Sequence, residues 1–147
     1  MNDFSLILKQ HDALMIGRWL TDLANTSAFI FHNLPNLNWV GFYLLENKNL
    51  YLGPFQGLPA CTEIPLGRGV CGKAALARET LIVPDVNAFI DHIACDSRSQ
   101  SEIVVPIVHK DHVLGVLDVD SPIKYRFNQN DQLFLEKIVN NLLKKLD

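Results

Sequence analysis

The 147 residues are the length of one ordinary domain, enough to bury a core without staples, and the 48% hydrophobic and 20% charged content excludes a disordered or membrane-spanning chain. Thirteen basic against sixteen acidic residues leave a net charge of -3 with no basic stripe, which argues against nucleic acid or an anionic membrane as partner. The opening Met-Asn-Asp-Phe-Ser has neither the positive start nor the apolar stretch of a secretory signal, so a cytoplasmic location is expected, and three cysteines in that reducing compartment point to redox chemistry, metal binding or core filling.

Phe4, Leu8, Met15, Trp19 and Leu23, with Ile7, Leu14, Ile16 and Leu20 widening the stripe, predict a helix over residues 3–24 with more than one buried face. Asn25, Thr26 and Ser27 are expected to end it and to cap a short second helix through Phe31, and Pro35 breaks helicity. The aromatic and branched run 39–45 reads as a strand, 46–49 as a turn and 50–53 as the second strand of a hairpin. From Pro54 to Gly72 the density of glycine and proline predicts loop, with a short strand near 63–66, and both Cys61 and Cys71 fall in it. Alanine-rich 72–78 reads as a helix and 80–83 as a strand stopped by Pro84. Residues 85–101 form a long irregular segment of the kind that serves as a lid or binding loop. The apolar runs 103–108 and 113–119 are expected to be the two central strands, and Asn128 to Asn130 to cap a last helix through Leu146, whose Lys144 and Lys145 suit its C-terminal dipole. Helices, strands, an irregular crossover, strands and a closing helix make an α+β or three-layer antiparallel domain spanning residues 1–147.

Chemistry concentrates in 92–105. Cys95 lies in a polar turn that feeds an apolar strand, with His92 before it and Asp96, Arg98 and Glu102 after it, so the thiol can be charged, reached and protonated by neighbours. The plain alternative is a buried, inert thiol. Cys61, after Leu58-Pro59-Ala60, reads as exposed, and Cys71, between Val70 and Gly72, as packed inward. A zinc site from Cys61, Cys71, Cys95 and His92 lacks any close ligand pair, and no metal site is expected.

Asp118 and Asp120 lie two apart on one strand and share a face, which is costly unless a cation binds there or one acid holds a proton; the plain alternative is a strand that has reached solvent. Glu102 opens the neighbouring strand. A two-residue turn at Lys110-Asp111 would set it opposite Val119, a three-residue loop opposite Asp120. Trp39 and Tyr43, four apart, also share a face, as site wall or as ordinary core.

Six strings resemble the free methionine-(R)-sulfoxide reductases, a branch of the GAF-domain proteins. They are Asn-Trp-Val-Gly-Phe-Tyr (38–43), Leu-Gly-Pro-Phe-Gln-Gly (52–57), Gly-Arg-Gly-Val-Cys-Gly (67–72), His-Ile-Ala-Cys-Asp-Ser (92–97), Ser-Glu-Ile-Val-Val-Pro (101–106) and Gly-Val-Leu-Asp-Val-Asp-Ser (115–121). The match spans residues 38–121; residues 87–91 depart from the family pattern. The resemblance implies a GAF-like fold, a six-stranded antiparallel sheet with the N- and C-terminal helices on one side, and reduction of the R epimer of free methionine sulfoxide without a cofactor. It makes Cys95 the nucleophile, Cys61 the resolving thiol, Cys71 an alternate resolver or relay, and thioredoxin the reductant. It lines the substrate site with Trp39, Tyr43, Glu102, Asp118 and Asp120, one acid protonated to donate to the sulfoxide oxygen. Backbone amides in the turn ending at Cys95, or Arg98, are the candidate partners of the substrate carboxylate. Broad apolar faces on the terminal helices suggest a homodimer joined through them. The competing reading is a non-catalytic GAF module that binds a small ligand and signals through its terminal helices. Such sensors are usually tethered to an output domain, and the chain stopping at its last helix favours the enzyme.

Overall fold

A computed structural model of the chain describes residues 4–146. In chain order the elements are α1 (Ser5–Leu14), α2 (Trp19–Asn33), β1 (Trp39–Glu46), β2 (Asn49–Gln56), β3 (Glu63–Pro65), α3 (Gly69–Ala77), β4 (Leu81–Val83), β5 (Ser101–His109), β6 (His112–Ser121) and α4 (Gln129–Lys144). The strands pair antiparallel into one six-stranded sheet in the order β3-β2-β1-β6-β5-β4. The expected α+β architecture is thus observed, with one change. The middle pair is β1 and β6, while β5 lies one strand from the edge, because β1 takes the free side of β6 and brings its own hairpin with it.

The strand period of two sorts side chains cleanly between two layers. Phe42, Ile103, Val105, Ile107, Leu117 and Val119 point to the face covered by α1, α2 and α4, where they pack on Leu23, Ile30, Phe134, Leu135 and Ile138. Trp39, Tyr43, Val104 and Val116 point to the opposite face, under α3 and the long 85–100 segment. Asp118, Asp120 and Glu102 follow the same parity as Val116 and Val104, so the three acids of β5 and β6 all lie on the α3 side.

Three local expectations are corrected. Residues 3–24 are not one helix: Asp3 lies outside the described residues, and the chain breaks between α1 and α2 at Gly17, where φ is +86°. The Asp22 carboxylate makes the break, accepting the amides of Ile16 at 3.0 Å and Gly17 at 2.8 Å. Asn25, Thr26 and Ser27 therefore lie inside α2; Thr26 is bonded to His11 and Ser27 donates to the carbonyls of Leu23 and Pro54, so neither is spent on a cap. The second correction is to β2, which continues through Pro54 to Gln56, since β3 pairs only with Asn49 to Tyr51 and a bulge in β2, where Gly53 and Pro54 stand opposite Phe42 of β1, absorbs the proline. Finally, α3 starts at Gly69, so Cys71 is helical. Gly72 belongs inside it because a Cβ there would meet the Pro65 carbonyl at 2.5 Å.

The hairpin that positions Glu102 has the two-residue turn together with the register expected of a three-residue loop. The turn has two residues, Lys110 and Asp111, at φ +50° and +66°, closing His109 against His112. A bulge between Ile107 and Val108 then shifts the register by one, and Glu102 pairs with Asp120.

Helix α4 starts with a capping box: the Asn128 side chain accepts the Asp131 amide and the Asp131 carboxylate accepts the Asn128 amide. The helical layer is tied together at His11, fully buried. Its Nδ1 receives the Asn141 amide at 3.2 Å, so Nε2 carries the proton and donates to Thr26 Oγ1 at 2.8 Å. Burial lowers the His11 pKa to about 4. A folded value below the unfolded one means stability is complete above about pH 6.5 and is lost as pH falls toward 4. The loss should reach a few kcal/mol, each pKa unit being worth about 1.4 kcal/mol. Denaturant titrations of wild type and His11→Gln between pH 7 and 4 should show the difference narrowing in that window; parallel curves would sink the assignment.

Candidate active site

The sheet register assembles the site. Asp120 on β6 faces Glu102 on β5 and Trp39 on β1 in one cross-strand row; Asp118 stands in the next row between Val104 and Gly41. All three acids are buried, at 7% exposure for Glu102, 5% for Asp118 and 8% for Asp120. The plain reading of a strand end in solvent is excluded by those values. Burial raises the Asp118 and Asp120 carboxyls well above the ordinary carboxylate range, and the neighbouring acids push them further: Asp120 and Glu102 act on Asp118, Glu102 on Asp120. Asp120 accepts from Ser99 Oγ at 3.2 Å through Oδ2, whereas Oδ1 of both Asp118 and Asp120 finds no hydrogen-bond donor among the described residues.

Above this wall lie the cysteines. Cys61, in the strap between β2 and β3, is bridged to Cys95, in the 85–100 segment, with S–S 2.04 Å and Cα–Cα 5.2 Å across 34 residues of sequence. Cys71 is reduced and buried in α3, and its thiol is held protonated first by burial and then by Asp118, Glu102 and Asp120. Cys95, Cys71, Tyr43, His92 and the three acids all border one cavity of about 30 Å³, room for a single water.

Each half of the disulfide is held by identifiable contacts. The Tyr43 hydroxyl donates to the Cys61 carbonyl at 2.8 Å, and the Trp39 indole donates to the Leu58 carbonyl at 3.1 Å, so both aromatic side chains carry the strap. Trp39 stacks on Phe55 and Tyr43 and does not border the cavity. On the Cys95 side, the Asn38 amide donates to Asp96 at 3.0 Å and Ser99 Oγ at 3.1 Å, and Asp96 chelates the Arg98 guanidinium. The Cys95 amide donates to the Ile93 carbonyl. The Cys95 amide and the Arg98 guanidinium are therefore both engaged internally in this disulfide form.

Earlier in the same segment, Asp91 accepts from Arg68 Nε and Nη2, Lys73 Nζ and the Gly69 amide, which pins the loop to the start of α3. His92 Nε2 stands 3.8 Å from Glu102 Oε1. Asn38 and Ser99 were not singled out from sequence, and Asp91 only as the end of the 87–91 stretch that departs from the family pattern. The available signal was the Asp-Ser-Arg-Ser run after Cys95, a pattern that favours a side-chain-capped turn, which Asp96 makes by accepting the Arg98 amide.

The GAF domain profile matches residues 17–143. This chain belongs to the GAF domain family. The GAF chain is 49% identical over 140 residues to the free methionine-R-sulfoxide reductase of Escherichia coli, covering 94% of this chain and 85% of that protein. It superposes on the reduced form of fRMsr of Staphylococcus aureus with a TM-score of 0.95 at 50% identity, covering 100% of this chain and 97% of that one. With the free methionine-R-sulfoxide reductase from Neisseria meningitidis in complex with its substrate, the TM-score is 0.93 at 41% identity, covering 99% and 92% of the two chains.

The raised carboxyls of this GAF domain carry a stability cost with a definite sign. Because the folded pKa lies above the unfolded 3.8, the native state holds extra protons and loses stability as pH climbs through and beyond that value. Asp118→Asn should be the more stable protein at pH 7, by about 1–3 kcal/mol, with the advantage shrinking toward pH 4. Equal urea midpoints at both pH values would refute this.

Proposed function

We propose that this chain reduces free methionine-(R)-sulfoxide to methionine through a Cys95–Cys61 redox pair. The observation that carries the reading is the bridge between those two cysteines, with Cys95 bordering one cavity with three buried acids, in a fold shared at about half identity with reductases of that name. A ligand-sensing GAF module has no use for a bridged thiol pair over its pocket.

In the reduced protein the Cys95 thiolate attacks the sulfoxide sulfur while a protonated acid of the Glu102, Asp118 and Asp120 group delivers a proton to the oxygen. Methionine leaves, and the oxygen stays on Cys95 as sulfenic acid. The Cys61 thiol attacks that sulfenic sulfur, water departs, and the disulfide forms. A dithiol reductant of the thioredoxin class exchanges with it and restores both thiols, chemistry suited to the cytoplasm. The buried acids support the assignment because two tasks need them: an ionised carboxylate for the substrate ammonium and a protonated one for the oxygen. Cys71, held as a thiol by burial, resolves only when Cys61 is missing. Trp39 and Tyr43 act from beneath the strap, becoming substrate wall once the bridge opens, since a cavity of about 30 Å³ cannot hold an amino acid of this size. One GAF domain spans the chain in this reading. It works as a homodimer through the helical layer, where Leu6, Ile16 and Leu20 are each more than 60% exposed.

With thioredoxin, its reductase and NADPH, racemic free methionine sulfoxide should be consumed to about half and then stop. Equal turnover of a peptide-bound sulfoxide would sink the proposal. Cys95→Ser should be inactive, Cys61→Ser should turn over slowly through Cys71, and Cys61→Ser/Cys71→Ser should complete one turnover and stall; an inactive Cys61→Ser beside a Cys95→Ser that completes one turnover would exchange the two roles. For the dimer, Leu20→Glu should halve the mass measured by light scattering, and an unchanged mass would place the interface elsewhere.

A further inference from the structure

Cys71 is the one cysteine the redox pair leaves unused, and its surroundings are unusual for a thiol. Its Sγ, a Glu102 carboxylate oxygen and an Asp118 carboxylate oxygen all lie within 4.8 Å of one another, and all three residues are buried. Two further donors face the same space: Asp120, whose Oδ1 like that of Asp118 has no hydrogen-bond donor among the described residues, and His92, whose Nε2 is 3.8 Å from Glu102 Oε1. Sulfur, carboxylate oxygen and imidazole nitrogen together are the ligand set of a zinc-class ion, and a mixed set with a thiolate disfavours magnesium and calcium.

We propose that the reduced protein binds a thiophilic divalent cation of the zinc class through Cys71 Sγ, Glu102 and Asp118, with His92 or Asp120 completing the tetrahedron. Metal–sulfur and metal–oxygen bonds of about 2.3 and 2.1 Å require the donors to draw together by about 1 Å, a shift that side-chain rotation at the cavity wall supplies. Binding releases the Cys71 thiol proton and any proton held by the carboxyls, so the apparent affinity rises with pH. The ion replaces mutual repulsion among buried acids with shared coordination, the same relief that a substrate ammonium brings. It is therefore an inhibitory occupant, not a cofactor. This ligand set is distinct from one built on the redox pair, because neither Cys61 nor Cys95 belongs to it.

The test uses the full chain carrying Cys61→Ser and Cys95→Ser, which retains Cys71 and cannot turn over. Titration with cadmium chloride should raise the ultraviolet thiolate-to-cadmium absorption to saturation at one equivalent, and zinc chloride should displace it. Adding Cys71→Ser should abolish the band. Glu102→Gln and Asp118→Asn, each with Cys71 intact, should weaken binding by about 10–100-fold, which keeps the proposal testable if the serine variant fails to fold. Absence of the band from the Cys61→Ser/Cys95→Ser protein, or binding undiminished by Glu102→Gln and Asp118→Asn, overturns the site. Competition with substrate rests on the functional reading above and is read separately: racemic free methionine sulfoxide should displace cadmium from the same protein. Cadmium binding without displacement overturns the inhibitory role and leaves the metal site standing.

Discussion

Two carboxylates desolvated side by side on β6 are the constraint to which the rest of the active face answers. Asp118 and Asp120 sit on a central strand, where neither can swing out to water, and Glu102 is brought against them by pairing rather than by attraction. Leaving three acids there unrelieved costs stability, and natural domains keep such arrangements where chemistry requires them. Around them every other feature of that face is restraint or relief. Ser99 donates to Asp120, Asn38 ties Ser99 to Asp96, and Asp91 fixes the approach to Cys95 through Arg68 and Lys73. The opposite face of the sheet carries no such burden and is filled as an ordinary core.

How much of this was visible in the sequence depends on the range of the interaction concerned. That Asp118 and Asp120 share a face follows from the strand period alone, and the two apolar runs around Lys110-Asp111 are unmistakable strands. Their partner was not legible. Glu102 meets Asp120 through a two-residue turn together with a bulge, and nothing in the residues between 106 and 116 announces the bulge. The same holds for the break at Gly17, made by a carboxylate five residues further on, and for Gly72, a helical glycine whose reason is a carbonyl from the preceding turn. Local propensity reads such residues as loop because it cannot see what they touch. The Cys61 to Cys95 pairing is likewise beyond spacing; only the family resemblance implies it, and the two sulfurs stand at bonding distance.

Trp39 and Tyr43 show how much one buried face can carry. Both point to the α3 side, as their spacing requires, but in the disulfide form they hold up the strap that carries Cys61, through the indole N–H and the phenol O–H. Core packing and a polar hold on the strap are combined in one side chain, because a buried ring can carry a polar tip. The strap has no regular structure from Gly57 to Thr62, so these two donors, the bridge itself and the Leu52 amide on the Thr62 carbonyl define where it lies.

The bulge beside Ile107 also has a meaning for how this hairpin tolerates change in length. It stores one residue of slack between the turn and Asp118. If one residue is lost on that stretch, erasing the bulge restores the pairing of Glu102 with the same aspartate. If one is gained, the slack is already used, and the added residue turns Asp118 and Asp120 toward the helices and Leu117 and Val119 toward the cysteines. The tip of the hairpin, remote from the chemistry, is thus forgiving of deletion and intolerant of insertion.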